Sequence, residues 1–437
     1  MASFSIPLTG LEADSTALNT IANDLSNMNT TAFKAQSTNF SDLFYQQIGS
    51  TGAGDPIQVG AGVKVASNET DFTAGTPNST GVASDVALQG NGFFVVDGGN
   101  MQYLTRAGDF QTDSTGNLIT TNGCNVMGYP AVNGVVNTNA PLTAINIPIG
   151  QVQAPQATTT MSIPTTLDSA SATNTQFPAE ITVYDSLGQP HIATVTYEMT
   201  AADTWTYSAQ LPASDYSVAG GDVVPAAITG TLQFDNNGNL QTVTQGAGAP
   251  QTVGTAGGDV SSIALDFTPA GPPASALADG AAGLTINWNL LSSAGTPNIS
   301  QVDATSAISG TTSQNGYTTG EYVGFAVGSD GTVSVTYSNG QQQNVAQIAL
   351  ANVANLQGLT MLGNGEYETT QASGAATIGT SGTGGLGTME GGALEASNVN
   401  ISTEFSDLIV AQRAFEANAK SVTTFDTVTQ DTINMVH

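Results

Sequence analysis

Positively charged residues are nearly absent from this chain. Its 437 residues include 5 Lys and Arg against 34 Asp and Glu, which gives a formal net charge of −29 at pH 7. None of the five lies between residues 107 and 412. Binding to nucleic acids or to anionic lipid headgroups depends on Lys and Arg near phosphates. The sequence therefore predicts no nucleic-acid partner, and it predicts a middle region stabilised by apolar burial and hydrogen bonds.

Residues suited to catalysis or metal binding are equally scarce. Cys124 is the only cysteine, and His191 and His437 are the only histidines. A single cysteine cannot form an intrachain disulfide. One cysteine and two histidines are also too few for a zinc site made of Cys and His ligands. His191 lies beside a predicted hairpin turn without a nucleophile elbow, so we interpret it as a surface residue. We predict no catalytic residues, no cofactor and no metal site, and hence no enzyme.

Long apolar runs are also missing. No stretch approaches the roughly 18 apolar residues that a transmembrane helix needs. The first ten residues, MASFSIPLTG, lack the basic and apolar regions of a secretory signal. The sequence therefore predicts no membrane insertion and no cleavable signal peptide.

Glycine and neutral polar residues are what the chain has in abundance. It contains 50 glycines, while charged residues make up 9% and aromatic residues 6%. Alternating apolar segments separated by turn residues predict strands from about residue 80, with hairpin turns at 113–117, 186–190, 236–239 and 339–340. We expect an inner β-domain made of 76–158 with 312–396 and an outer β-domain at 159–311, both barrel-like or sandwich-like.

The two ends of the chain have a different, helical pattern. Apolar residues recur in steps of three, four and seven near both ends, which is typical of helices that pack lengthwise on other helices. The first helix is predicted over 5–28, beginning either at Pro7 or in a capping box at Thr9. The last begins near Ser402 as N-cap and extends to about Met435. The candidate subunit-packing residues are Leu11, Leu18, Ile21, Leu25, Met28, Ile401, Leu408, Ala411, Phe415, Val422 and Phe425.

These patterns combine into one fold class: a mostly β protein with α-helical termini. Residues 1–28 and 397–437 are expected to form a terminal coiled-coil domain. Residues 29–75 are expected to be an irregular connecting segment. That segment has more aromatic residues than a bare linker needs, so Phe33, Phe40, Phe44 and Tyr45 are predicted to dock on a neighbouring surface. Paired ends around a globular middle indicate the subunit of a polymer.

Five sequence blocks together resemble the bacterial flagellar axial proteins, and most closely the hook proteins of that family. The blocks are NTIANDLSNMNTTAFKAQ at 19–36, DVALQGNGFFVV at 85–96, YLTRAGDFQTDSTGNLITTNGCNVMGYP at 103–130, the return segment 345–374 and GALEASNVNISTEFSDLIVAQRAFEANAKSV at 392–422. They follow one another in the family's order and cover about half of the chain. Agreement of several blocks is more specific than any single motif.

The resemblance implies a structural subunit of the flagellar hook. Such a subunit polymerises with itself into a curved, flexible helical tube, which acts as a universal joint between the motor and the filament. The implied partners are the rod proteins, the hook cap, the hook–filament junction protein and the flagellar type III export apparatus. Export by that apparatus needs no cleavable signal, and it places the protein in the flagellum outside the cell.

Three other interpretations stay open on the sequence. A distal rod protein has similar ends but is shorter and lacks a large middle β-domain. A phage-tail or adhesin β-protein would explain the Gly- and Thr-rich strands but not the helical ends. A β-rich polysaccharide hydrolase would need a pair of carboxylates at a set separation, and no local pattern marks such a pair.

Overall fold

The computed structural model describes residues 5–50, 55–99, 101–216, 224–257, 259–269 and 277–435. The chain divides into two compact units. The first unit comprises Met1–Ile149, Val323–Thr336 and Gln342–His437, and the second comprises Gly150–Tyr322 and Tyr337–Gln341. Residues 1–4 and 436–437 of the predicted terminal domain lie outside the described residues.

The described residues form two α-helices, two short 3-10 helices and many strands. The helices are α1 (Ser5–Ser26) and α2 (Ile401–Met435), with 3-10 turns at Ala213–Asp215 and Leu356–Gly358. The strands up to residue 153 are β1 Gln36–Asp42, β2 Gln46–Ser50, β3 Pro56–Val59, β4 Val63–Thr70, β5 Pro77–Ser79, β6 Val86–Gln89, β7 Phe93–Asp97, β8 Gln102–Thr105, β9 Gln111–Thr112, β10 Leu118–Ile119, β11 Asn125–Val132, β12 Val135–Val136, β13 Thr143–Ala144 and β14 Val152–Gln153.

The remaining strands continue in chain order. Those up to residue 314 are β15 Thr160–Ser162, β16 Thr165–Asp168, β17 Gln176–Tyr184, β18 Pro190–Ala201, β19 Thr204–Gln210, β20 Ile228–Phe234, β21 Leu240–Gln245, β22 Gln251–Thr252, β23 Ser262–Asp266, β24 Thr285–Asn289, β25 Ile299–Val302, β26 Ala307–Ile308 and β27 Ser313–Gln314. The last are β28 Gly320–Val327, β29 Thr332–Tyr337, β30 Gln342–Ile348, β31 Leu350–Asn352, β32 Thr360–Gly363, β33 Glu366–Glu368, β34 Thr377–Gly379, β35 Thr388–Gly391 and β36 Ala393–Glu395.

Helix α1 has the earlier of the two predicted starts. It begins at Ser5 and has Pro7 in its first turn, where a missing N–H costs no helical hydrogen bond. Thr9 therefore lies inside the helix, and its hydroxyl donates to the carbonyl of Ile6 rather than capping. The helix ends at Ser26, two residues before the predicted end, in the Asn-rich run.

The predicted N-cap of the last helix is wrong by two residues. The side chain of Asn400 accepts the backbone N–H groups of Ser402 and Thr403 at 3.0 and 3.3 Å. Asn is as good an N-cap as Ser, so α2 begins at Ile401 and Ser402 lies in its first turn. The hydroxyls of the threonines in the late part of α2 donate to carbonyls three or four residues back, as from Thr427 to Thr423 at 3.0 Å.

In the first unit, a sheet forms around one continuous apolar strand. Strand β7 has the sequence FFVVD and four consecutive buried residues, which is typical of a strand covered on both faces. It pairs with β8, β11 and β31, and β11 pairs in turn with β30. The predicted turns at 113–117 and 339–340 connect β9 to β10 and β29 to β30. One core cluster of this unit contains Phe93, Val95, Leu104, Met127, Tyr129, Ala349, Ala351, Val353 and Tyr367.

The prediction that 29–75 is irregular is wrong in its secondary structure. Strand β1 pairs antiparallel with β4, from Gln36 opposite Thr70 to Asp42 opposite Val63, and β2 pairs with β3. Hydrophobic alternation does not mark these strands, because most of their side chains stay accessible to solvent. Strands β1 and β4 lie beside α1, where the hydroxyl of Thr38 donates to that of Thr20 at 3.1 Å.

In the second unit, three sheets share one core. The largest has the order β17-β18-β19-β20-β21-β22, and the others have the orders β23-β24-β15-β27 and β25-β16-β26. The predicted hairpin turns at 186–190 and 236–239 connect β17 to β18 and β20 to β21. Strand β18 alternates buried and accessible residues, as expected for a sheet with one covered face. Trp205, Trp288, Tyr197 and Tyr207 lie fully buried at the centre of this core.

The interpretation of His191 as a surface residue is wrong. It is 7% exposed, because its ring faces inward from β18 between carboxylates of two turns. The predicted fold class is confirmed in outline: the chain is mostly β, and its N- and C-terminal helices contact each other. In the described part of the chain, neither α-helix contains an apolar stretch long enough to cross a membrane.

Candidate assembly interface of the terminal helices

The two terminal helices pack against each other in antiparallel directions. Near the start of α1, the amide of Asn418 donates to Asp14 at 2.9 Å. Near the end of α1, burial and then the nearby charge of Asp24 raise the pKa of Glu404, which lies in the first turn of α2. The helix pair is therefore built from the first and the last parts of the sequence.

One close contact between the helices depends on a residue without a side chain. Gly10 faces Asn418 so closely that a Cβ at position 10 would lie 2.6 Å from the amide nitrogen. The buried residues of α1 are Pro7, Gly10, Ala13, Thr20 and Asp24, whereas α2 has none. Their spacing of three or four, with half-buried Ala17 between Ala13 and Thr20, places them on one face of the helix. The sequence analysis missed this face because it looked for large apolar residues, although the stripe of small residues was visible.

None of the eleven predicted packing residues is fully buried in the single chain. Met28, Ile401 and Phe415 are 40%, 46% and 38% exposed. The other predicted residues are half-buried: Leu11, Leu18, Ile21, Leu25, Leu408, Ala411, Val422 and Phe425. Further large apolar side chains that remain exposed on the helices are Ile6, Leu8, Phe405, Ile409, Val410, Val428, Ile433 and Met435. Much of the apolar surface of the helix pair is therefore accessible in the single chain.

The connecting segment carries a second accessible apolar surface. Phe40, Phe44 and Tyr45 are 47%, 93% and 60% exposed, while Phe33 is half-buried. Ile48, Ile57 and Val59 on β2 and β3 are exposed beside them. The hairpin-like pair β2–β3 with Phe40, Phe44 and Tyr45 is called the arm below.

A buried ion cluster connects the segment after α1 to the strand before α2. The Lys34 ammonium lies 2.6 Å from Oε1 of Glu395 and donates to the carbonyl of Thr73 at 2.7 Å. Nε of Arg106 lies 3.3 Å from Oε2 of the same carboxylate. Lys34, Arg106 and Glu395 are 1%, 3% and 2% exposed. Burial lowers the pKa of Lys34, and Glu395 counteracts this by stabilising the charged ammonium.

Hydrogen bonds complete the connection between the two ends of the chain. Nη1 of Arg106 donates to the carbonyls of Gly90 and Gly92, at 2.8 Å each. The side chain of Asn398 accepts the N–H of Ala35 at 2.8 Å and donates to the carbonyl of Asp71 at 2.8 Å. Sequence analysis missed the cluster, since 361 positions separate Lys34 from Glu395. The segment that follows α1 and the segment that precedes α2 are thus fixed to the same point of the first unit.

The helix pair also contains two acids with unfavourable surroundings. Asp24 is fully buried, and its Oδ1 has no hydrogen-bond partner, while Oδ2 accepts the N–H of Gln36 at 2.7 Å. Burial raises the pKa of Asp24 above its ordinary value of 3.8. The pKa of Glu404 is raised above 4.5, chiefly by burial and then by the charges of Asp24 and Asp407. The ionised forms of both acids therefore oppose helix pairing.

We expect the helix pair to become more stable as the pH falls from 7 through the raised pKa values of Asp24 and Glu404. A carboxyl whose pKa is higher in the folded state binds its proton more tightly there, so protonation favours that state. Asp24→Asn keeps an acceptor for Gln36 and removes the charge, so it should weaken this pH dependence. Amide exchange in α1 and α2 measures the effect, with exposed Asp426→Asn as control. An unchanged pH dependence in Asp24→Asn would contradict this assignment.

Comparison with known proteins adds three family matches and several full-length relatives. Residues 154–317 match the family described as flagellar basal body protein FlaE D2 domain, and 87–166 match the flagellar hook protein FlgE/F/G D1 domain. Residues 390–435 match the flagellar basal body rod FlgEFG protein C-terminal family. The flagellar hook protein FlgE of Escherichia coli strain K12 is 34% identical over 99% of both chains. The chain belongs to the flagellar hook protein family.

Further relatives agree with this assignment. The flagellar hook protein FlgE of Salmonella typhimurium is 34% identical over 99% of this chain and 100% of its own. A crystal structure of the flagellar hook protein FlgE2 of Helicobacter pylori superposes with a TM-score of 0.53 over 73% of this chain and 100% of that chain. At 15% identity that likeness concerns the fold alone. As a flagellar hook protein, the chain is a structural subunit of the flagellum and not an enzyme.

Proposed function

We propose that this hook protein polymerises through its terminal helices into a curved, flexible tube that acts as a universal joint between motor and filament. The exposed apolar side chains of α1 and α2 carry the proposal. Phe405, Ile409, Val410 and Phe415 are 38–67% exposed within one stretch of α2. Apolar surface of this kind is stabilised by burial, and a second copy of the same helix pair offers a matching surface.

The last turns of α2 support the same proposal. Every residue from 426 to 435 is exposed, so this part of the helix buries little of its surface against the described residues. A short helical segment rich in threonine gains too little from its own hydrogen bonds to be stable alone in water. Neighbouring copies would cover it in the polymer. Contacts between different surfaces of successive copies do not close on themselves, and they generate a helical tube.

The proposal also assigns a role to each of the remaining parts of the chain. Residues 1–28 with 397–437 form the terminal packing domain, and 29–75 connect it to the inner domain of 76–158 with 312–396. Residues 159–311 form the outer domain, whose sliding against its neighbours permits bending. The arm packs on a neighbouring copy through Phe40, Phe44 and Tyr45, with Phe33 at its base.

The proposal also assigns partners and a route of export. The rod proteins lie at one end of the tube, and the hook cap and then the hook–filament junction protein lie at the other. The flagellar type III export apparatus delivers the unfolded chain without removal of a signal peptide.

Electron microscopy of the purified protein after salt-driven assembly tests the proposal. We expect curved tubes from the full chain and none from a chain that lacks residues 1–30 and 400–437, because the helix pair is then missing. Fluorescence of the two tryptophans shows whether the second unit of the truncated chain is folded, and circular dichroism shows whether the rest keeps its strands. Straight tubes would favour a rod-type assembly, and no tubes from the folded full chain would contradict the proposal.

A further inference from the structure

A histidine and three carboxylates meet at one edge of the second unit. Asp185 follows β17, His191 lies in β18, Asp215 ends the 3-10 turn Ala213–Asp215, and Asp279 lies in the turn after residue 277. Nε2 of His191 is 3.0 Å from Oδ2 of Asp185, and Nδ1 is 2.8 Å from Oδ2 of Asp215. One ligand atom from each of Asp185, His191 and Asp279 lies within 4.8 Å of the other two.

Hydrogen bonds to the backbone hold these groups in place. Oδ1 of Asp185 accepts the N–H groups of Leu187 and Gln189 at 2.8 and 2.9 Å, so Oδ2 points towards the histidine. Oδ1 of Asp279 accepts the N–H of Ala281 at 3.0 Å, which fixes the orientation of that carboxylate. The N–H of Ala278 donates to the carbonyl of Asp215 at 2.9 Å and connects the two turns.

The charge of this cluster is not balanced by the protein. Even a doubly protonated His191 supplies one positive charge for three carboxylates. The ligand atoms of Asp185 and Asp279 lie within 4.8 Å of each other, so the two carboxylates repel each other, and a cation between them would relieve the repulsion. No lysine or arginine occurs from 107 to 412, so the second unit has none to supply it.

We propose that Asp185, His191 and Asp279 bind a divalent transition-metal ion of the zinc type. Nε2 of His191 and one oxygen of each aspartate are the ligands, and exposed Asp279 opens the fourth position to water. Metal-binding histidines commonly donate their other ring N–H to a carboxylate, and Asp215 is placed to accept it. Binding releases the Nε2 proton to water, so the ion replaces a proton in the cluster. Ca²⁺ and Mg²⁺ prefer oxygen ligands and suit a site with imidazole less well.

The sequence analysis excluded a metal site because it considered local Cys/His patterns. Asp185 and His191 are six positions apart, but Asp215 and Asp279 come from distant turns, so only the fold brings the four residues together. This site is independent of polymerisation, and its test uses the single chain.

The test is a titration of the metal-free full chain with Zn²⁺. Calorimetry measures binding, and the thermal unfolding of the second unit measures stabilisation. Both tryptophans of the chain, Trp205 and Trp288, lie in the core of that unit and report its unfolding. We expect one Zn²⁺ per chain and a melting temperature that rises with Zn²⁺ concentration. The same concentrations of Ca²⁺ or Mg²⁺ should leave it unchanged.

Asp279→Asn is the decisive variant, because an asparagine keeps the acceptor for Ala281 and loses the charged ligand. We expect its Zn²⁺ affinity to fall by at least the 10–100-fold that loss of a supporting partner costs. Asp303→Asn is the matched control, since Asp303 is exposed in the same unit and its side chain makes no hydrogen bond within the described residues. Absence of saturable binding, or equal affinity in the two variants, would overturn the proposal.

Discussion

Glu395→Gln is expected to destabilise the first unit by about 3–5 kcal/mol, which is the usual cost of removing one partner from a buried ion pair. Glu395 is the only acid within ion-pair distance of Lys34 and Arg106 in the described part of the chain. Its loss leaves two buried cations with hydrogen bonds to backbone carbonyls but without their ion-pair partner. The destabilised residues lie in the segment that follows α1 and in the segment that precedes α2. Pairing of the two terminal helices should therefore weaken as well.

Chemical denaturation followed by two signals measures this effect. Tryptophan fluorescence reports only the second unit, because Trp205 and Trp288 are the only two tryptophans in the chain. Far-ultraviolet circular dichroism reports both units. We expect the variant to shift part of the dichroism transition to lower denaturant while the fluorescence midpoint stays in place. Glu12→Gln is the control, because it makes the same change at an exposed position of α1, and it should shift neither the dichroism transition nor the fluorescence midpoint. An unshifted dichroism curve in Glu395→Gln would contradict the stabilising role of Glu395.

Phe415→Asp is expected to block tube assembly while leaving the single chain folded. Phe415 is 38% exposed and α2 has no fully buried residue, so a carboxylate at position 415 can still reach water in the single chain. Fully burying a large apolar side chain contributes about 1.5–3 kcal/mol, so burying the 38% of Phe415 that stays accessible contributes about 0.6–1.1 kcal/mol per contact. Losing that energy raises the concentration needed for assembly about 3–7-fold, and burying an unpaired carboxylate in the contact costs considerably more.

Sedimentation and electron microscopy at a series of protein concentrations test this prediction. Ala417→Asp is the matched control, because residue 417 is exposed and lies about 200° around the helix from 415. We expect the control to assemble at nearly the concentration of the unchanged protein. Equal loss in both variants would show that added negative charge, and not the lost apolar contact, prevents assembly. Normal tubes from Phe415→Asp would exclude this residue from the interface.

The sequence predicted the helices and hairpins well because their signals are local. The turns at 113–117, 186–190 and 236–239 have short spacings and the residues that such turns need, and the structure confirms all three. Helix starts were less certain, because Asn400 and Ser402 are both suitable N-caps and only backbone geometry decides between them.

What the sequence could not provide were contacts between distant positions. The strands β1 to β4 have few buried residues, so no alternation indicated them, and they exist because they pair with each other. Gly10 gave no apolar signal, yet its missing side chain allows α2 to approach at Asn418. The aspartates around His191 lie on separate turns, and nothing in the spacing connects them.

The distribution of lysine and arginine also determines where the folded chain can be cut. Trypsin cleaves only after these residues, and Lys34 and Arg106 are buried, so the accessible sites are Lys64, Arg413 and Lys420. Digestion of the single folded chain would cut the first unit within β4 and within α2, and the second unit would survive whole. Packing of α2 among neighbouring copies would close the sites at Arg413 and Lys420, so a gel of the digest would distinguish free subunits from those built into a tube.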